Sequence, residues 1–293
     1  MLAEVYRIRD VAREILANLS MAAPALRNWR VRKGRTTAKD ISTQAQQVHS
    51  EFRFFVGTIG HGALAGATVV EIGPGDTIAL APLFLQAGAS RFIAYDRFPG
   101  DVYSPYAIEL YIQLTGLSHG AVKSLMADRV HIRPISIEDA DPVREEQADF
   151  IVSFNVIEHL VDPLLALEKM TAILRRDGLM VHRVDYGPHD VWTSYRNQFA
   201  FLTVNPWLWR LMGRNRGYPN RVRHKDLLSK LRGLGLNVDE RVTQKFETQH
   251  LQEARDSLRA QFAHFTDEDM LVQAAEFACS RGHTATLGTP YSR

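Results

Sequence analysis

Apolar positions along this chain switch between two periods. Over residues 3–19, Val5, Ile8, Val11, Ile15 and Leu16 recur at helical spacing. Residues 41–59 repeat that period. From residue 68 onward, short apolar runs alternate with helical stretches. Strands are expected over 68–73, 91–96, 130–136, 148–155 and 178–186. Helices are expected over 78–87 and 108–116, the second closed by Gly116. Asp162-Pro163 opens another helix, with Asp as the cap and Pro at the first helical position. Leu164, Leu167, Met170 and Leu174 line one of its faces. Arg175 and Arg176 fall in its last turn, and Gly178 ends it. Strands that alternate with helices give an α/β, doubly wound sheet, which takes its ligand at the carboxyl ends of its strands.

Residues 187–222 break the rhythm with Trp192, Phe199, Phe201, Trp207, Trp209 and several arginines, and read as an inserted substrate cap. A helix over 225–235, a strand over 236–246, a helix near 251–263 and a strand near 272–281 then complete a Rossmann-like, seven-stranded, mostly parallel sheet. The organisation expected is an N-terminal helical segment over 1–60 and a core over 61–186. The cap follows over 187–222, and 223–293 completes the core sheet. The basic, polar stretch at 28–41 reads as a loop or linker.

Composition narrows the class. With 293 residues, 45% hydrophobic and 23% charged, the chain is an ordinary globular one. A net charge of +2 gives no reason to invoke nucleic acid. The single cysteine, Cys279, precludes an internal disulfide, and no Cys/His zinc spacing occurs. No apolar run reaches the roughly 18 residues of a membrane span. The N-terminus is charged throughout, unlike a signal peptide. A cytoplasmic protein is expected, and a homodimer is compatible with the composition. The amphipathic N-terminus is read as a solvated helix in preference to a membrane-surface one.

The chemistry is concentrated in VVEIGPGDT, residues 69–77. Gly73 and Gly75 let the backbone turn sharply and approach a ligand closely. A dinucleotide site would require G-x-G-x-x-G, yet residues 73–78 read GPGDTI. Ile78 would crowd a pyrophosphate and Asp76 would repel it. Glu71 and Asp76 suit a ligand that is cationic at that point, as S-adenosylmethionine is. Asp96, about twenty residues on, suits the ribose hydroxyls of either ligand class and does not discriminate between them.

EIGPGD (71–76), YDRF (95–98), SIEDA (136–140) and ADFIVSFNVIEHLVDP (148–163) resemble the ordered motifs of class I S-adenosylmethionine-dependent methyltransferases. The FNVIEHLVDP segment is similar to the ubiquinone and small-molecule branch. The resemblance is strong over roughly 65–186. HRVDYGPHD (182–190), NRVRHKD (220–226) and FTDEDMLVQ (265–273) are similar, less specifically, to bacterial members. It implies S-adenosyl-L-methionine as donor and S-adenosyl-L-homocysteine as product. Glu71, Gly73, Pro74 and Gly75 would face the methionine portion, and Asp96 the ribose, with Arg97 beside the adenine. Ser136 and Ile137 would border adenine, and Asn155 would lie near the donor methyl. Two departures stand out: Ser136 where Asp-Ala is common, and Thr77–Ile78 in place of a third glycine.

Methyl transfer to oxygen or nitrogen requires alignment and, for a weak nucleophile, a base. No metal is required. His182 and His159 are the candidate bases. Asp185 would orient a histidine or bind substrate, and the His182/Asp185 pair is read as structural and not as a metal site. His189, Arg223 and His224 are candidates for holding the acceptor. The cap aromatics mostly pack, with one or two left to stack on an acceptor ring. The expected acceptor is a small molecule or glycan from a natural-product or polysaccharide pathway, and not nucleic acid. An NAD(P)-dependent oxidoreductase and a non-catalytic S-adenosylmethionine-binding protein are the alternatives.

Overall fold

The computed structural model describes residues 6–23, 26, 40–282, 284 and 286–291. Seven strands form one sheet: β1 Thr68–Ile72, β2 Arg91–Tyr95, β3 Val130–Arg133, β4 Ala148–Phe154, β5 Leu174–Asp185, β6 Asn237–Lys245 and β7 Val272–Ser280. Their order is β3-β2-β1-β4-β5-β7-β6. The first five pair in parallel, and β7 runs antiparallel to both β5 and β6. The seven-stranded, mostly parallel expectation is therefore met. The chain leaves β1 toward β2 on one side and returns to β4 on the other. That reversal opens a crevice at the carboxyl ends of β1, β2 and β4.

β1 is buried at every position because helices cover both faces. On one face lie α2 (Ile41–Ile59), α3 (Leu80–Gln86), α4 (Pro105–Thr115) and α5 (His119–Met126), with Phe55, Phe84, Leu110 and Val122 in the core. The other face holds α6 (Pro163–Ile173) and α8 (His224–Gly233) through Leu167, Met170, Leu227 and Leu231. Asp162 caps α6 by accepting from the Leu165 amide, as its Asp-Pro start predicts. Ser118 caps α5, a helix the sequence reading does not foresee.

Several boundaries differ from expectation. α6 stops at Ile173, and Leu174 already pairs with Ala148 in the sheet. Arg175 thus leaves the helix and pairs with Asp149, whose other oxygen accepts from the Thr68 amide. The helix foreseen near 251–263 is only α9 (Thr248–Ala254) followed by single 3-10 turns. The N-terminal helix α1 spans Ile8–Ala22, and Val5 lies outside the described residues, as does most of the 28–41 stretch.

α1 also turns an unforeseen face inward. Ile8 and Leu16 are 83% and 67% exposed, while Val11, Glu14, Asn18 and Met21 are buried. The buried polar pair is satisfied by the segment after β5. The Asn18 side-chain amide donates to the Leu211 carbonyl, and its oxygen accepts from the Asn215 amide. Glu14 pairs with Arg216. Residues 187–222 hold α7 (Pro206–Gly213) and share one core with α1 and the 246–270 region, built on Trp192, Phe199, Phe201, Trp209, Phe246 and Phe262.

Candidate active site

The site begins where β1 ends. Gly73 and Gly75 adopt φ +68° and +78°, the left-handed region that disfavours side chains. A Cβ on Gly73 would lie 2.4 Å from Cγ1 of Val156, so the residue after Asn155 closes on the turn at a distance only glycine allows. The Gly73 amide donates to the Tyr95 carbonyl at 2.7 Å. Asp96 then locks the turn to the end of β2. Its Oδ2 accepts from the Gly75 amide at 3.0 Å and its Oδ1 from the Phe98 amide at 2.7 Å. Gly100 closes from the far side, where a Cβ would lie 2.5 Å from the Asp76 carbonyl oxygen. Ile78, in place of the third glycine of a dinucleotide site, sits in the core with its amide donating to the Tyr111 hydroxyl at 3.2 Å.

A cavity of about 270 Å³ opens above this turn. Gly73, Gly75, Asp96, Arg97, Ser136, Ile137, Asn155 and His159 all line it. Asn155 holds φ +54°, a conformation that a non-glycine residue reaches at a cost of about 1 kcal/mol or more. Its side-chain oxygen accepts from Arg183 Nη1 at 2.5 Å, which aims the side chain. Glu71 lies buried just before the turn, its Oε2 without a hydrogen-bond partner. Burial, and then Glu51 and Asp96, raise its pKa well above the ordinary carboxyl value. An under-satisfied acidic group beside the glycine turn fits a donor carrying an ammonium and a sulfonium.

The catalytic and acceptor candidates separate in space. His182 is wholly buried in mid-strand, paired with Ser153 on one side and Phe277 on the other, and contributes nothing to the cavity wall. Its Nδ1 hydrogen-bonds the Ser153 hydroxyl at 2.8 Å, and burial pushes its pKa down to about 3. Contrary to expectation, His182 does not stand at the cleft edge, because the cleft begins beyond β4 and β5 and not along them. His182 and Asp185 also project to opposite faces, since strand side chains alternate. Asp185 accepts from the Gly187 amide at 2.8 Å and organises the chain turn there. Arg223 is fully buried and donates to the Tyr186, Met270 and Val272 carbonyls. His224 stacks on Phe277 and pairs with Glu240 at 2.7 Å. These contacts account for Arg223 and His224 as structural groups away from the cavity, contrary to the acceptor role expected of them.

His159 does reach the cavity. Its Nδ1 faces the Gly217 carbonyl at 2.8 Å, so Nδ1–H donates there and Nε2 carries the lone pair. His189 packs edge-on against His159, ring centroids 4.8 Å apart. The 157–160 turn is clamped by Asn220, whose side chain donates to the Ile157 and Leu160 carbonyls. The sequence reading missed Arg216 and Gly217, which form the wall facing His159. Arg216 is held by Glu14 and, at 3.3 Å, by Asp190. Only the turn residues of Gly217-Tyr218-Pro219-Asn220 hint at this in the sequence. None of Phe199, Phe201, Trp207 or Trp209 lines the cavity, and Trp207 is 61% exposed.

Among the described residues no helix is long and apolar enough to cross a membrane. Three solved structures illustrate the similarity. Magnesium protoporphyrin IX methyltransferase from Synechocystis PCC 6803, with bound SAH, is 12% identical and covers 91% of this chain and 99% of its own, with a TM-score of 0.46. An O-methyltransferase family protein from Burkholderia thailandensis is 12% identical over 83% of this chain and 59% of its own, with a TM-score of 0.44. The ribosomal protein L11 methylase from Lactobacillus delbrueckii subsp. bulgaricus is 15% identical over 82% of this chain and 80% of its own, with a TM-score of 0.39. No curated protein sequence matches the chain. The model of a family described as a methyltransferase domain matches residues 41–241, from α2 through most of β6. By that match the chain belongs to the methyltransferase-domain family, as a class I S-adenosylmethionine-dependent methyltransferase.

Proposed function

We propose that the protein methylates an oxygen or nitrogen of a small molecule or glycan, with His159 as the side chain that meets the acceptor. One observation carries this reading: the glycine turn and Asp96 share a single cavity with Asn155, His159 and Arg216. Donor-side and acceptor-side groups thus open onto the same space. Glu71, Gly73, Pro74 and Gly75 hold the methionine end of the donor, Asp96 and Arg97 the ribose and adenine, and Ser136 and Ile137 border the adenine. Asn155 stands near the methyl. The donor supplies an already activated methyl group, so the chain's task is alignment and charge handling. His159 Nε2 takes the acceptor proton, its tautomer fixed by Gly217. Arg216 faces the acceptor, and His189 packs against His159 from behind. Residues 61–186 act as the donor core, 187–222 as the acceptor cap and 223–293 as the completion of the sheet. Of the N-terminal segment, α1 backs the cap and α2 covers the donor core.

Two measurements test this reading. Purified protein should bind S-adenosylhomocysteine in calorimetry, and should transfer a labelled methyl group to a member of a pool of hydroxylated or amine-bearing small molecules. His159→Gln should lower turnover far more than S-adenosylhomocysteine affinity. Transfer that is undiminished in His159→Gln would overturn the assignment of His159.

A further inference from the structure

Behind His159 the chain gathers a second group of polar atoms that methyl transfer does not need. One ligand atom from each of Glu158, His159 and His189 lies within 4.8 Å of the other two. Glu158 is only 4% exposed, and its Oε1 accepts from the Asp185 amide at 3.3 Å. Its Oε2 and the Nε2 of His189 are both buried without a hydrogen-bond partner. Two unsatisfied buried polar atoms each carry the full desolvation cost of the group. A proton shared between them would need a hydrogen bond that neither atom makes. A cation seated between the three residues removes both costs together.

We infer that Glu158, His159 and His189 form a divalent transition-metal site at the acceptor end of the cavity. Ligand atoms about 2.1 Å from one ion lie about 3–4 Å from each other, so side-chain shifts of under about 1 Å close this set. Two imidazoles and one carboxylate suit zinc, cobalt, manganese or iron, and not the all-oxygen preference of magnesium or calcium. Three protein ligands leave an ion open to an exogenous one. His159 is the ligand on the cavity wall, so the open side faces the acceptor space. The outer shell is built as well. The Gly217 carbonyl takes the Nδ1–H of His159, and the Asp185 amide holds Glu158. An ion there would bind an acceptor oxygen and ease loss of its proton to solvent. His159 is thus the base in the metal-free protein only; with an ion bound its Nε2 is a ligand and the proton leaves to solvent. The inference goes beyond the methyltransferase reading, and ion binding does not depend on it.

The test uses untagged full-length protein freed of metal by a chelator and titrated with cobalt(II) alone. Wild type should take up one cobalt per chain with visible absorption bands, and should melt at a higher temperature with cobalt than without. Glu158→Gln and His189→Gln should each weaken uptake by more than the roughly 10- to 100-fold that loss of an outer-shell partner costs, and abolish the shift. Near-UV circular dichroism checks that each variant is folded. If Glu158→Gln is not, His189→Gln, on a partly exposed residue, decides alone. Absence of uptake by wild type, or uptake that persists in a folded variant, overturns the site. Calorimetry with S-adenosylhomocysteine on the metal-free protein reads the donor site separately, so failure there would count against the methyltransferase reading and not against the metal.

Discussion

Asp96→Ala removes the carboxylate that fastens the glycine turn to the end of β2. Both of its oxygens accept backbone amides, from Gly75 at 3.0 Å and Phe98 at 2.7 Å. Hydrogen bonds to a charged group contribute about 1.5–3 kcal/mol each. The amides are only partly buried, so water recovers part of that, and a loss of about 3 kcal/mol is expected. For a chain of this size each kcal/mol lowers the melting temperature by about 2–4 °C, which gives a fall of about 6–12 °C without any ligand. The same carboxylate is assigned the two ribose hydroxyls. Losing both at the lower end of that range weakens S-adenosylhomocysteine by at least about 100-fold. Asp96→Asn keeps one accepting oxygen and should fall between wild type and Asp96→Ala on both scales. Differential scanning calorimetry of the ligand-free protein and titration calorimetry separate the two duties. A melting temperature that stays put would refute the turn-fastening role. An unchanged affinity would show that the end of β2 is not the ribose site.

Gly73→Val should leave no measurable S-adenosylhomocysteine binding, since its Cβ would sit 2.4 Å from Val156 at a positive φ; titration calorimetry reads this, and a variant of normal affinity would undo the turn assignment. Glu14→Gln leaves Arg216 without its buried partner. It should raise the acceptor KM with little change in donor affinity, whereas a donor defect alone would mean that Arg216 does not face the acceptor. His182 stays neutral in the fold down to about pH 3, against 6.5 when unfolded, so it withdraws stability as pH falls through that window. His182→Gln should flatten the acid limb of a denaturation series by up to about 1.4 kcal/mol per pH unit, and leave the pH profile of turnover where it was. Glu71 has the opposite sense: a folded pKa held above its unfolded value costs stability as pH rises past about 4.5. Glu71→Gln should therefore be more stable than wild type at pH 7 but not below pH 4, and should bind the donor less tightly.

The end of the cavity at the glycine turn was legible because it is local. Glu71, Gly73, Asp96 and Asn155 each stand at or next to a strand end, Gly75 and Ile137 follow one within four residues, and strand ends follow from period and turn chemistry. The fully buried strands, α6 with its Asp-Pro start and the seven-strand count were readable for the same reason. The rest was not. His182 falls in a segment that alternation alone cannot mark as enclosed on both sides, and Arg223 shows no sign in sequence of the three carbonyls that hold it. Arg216 and Glu14 meet only because two distant segments share a core. Glu158 and His189 are 31 residues apart by their numbers, so no ligand spacing could announce them.

The Glu14–Arg216 pair, 202 residues apart in sequence, has a consequence in time. At about 5–20 residues per second of synthesis, α1 waits some tens of seconds for the segment it must clasp. Contacts that close so long a loop form late in folding. Residues 68–100, which hold the glycine turn and the Asp96 that fastens it, lie close together and need no such closure. The order of assembly is thus written into the chain: the glycine turn and the end of β2 come together first, and the cavity wall at Arg216 is finished only when the beginning of the chain returns to it.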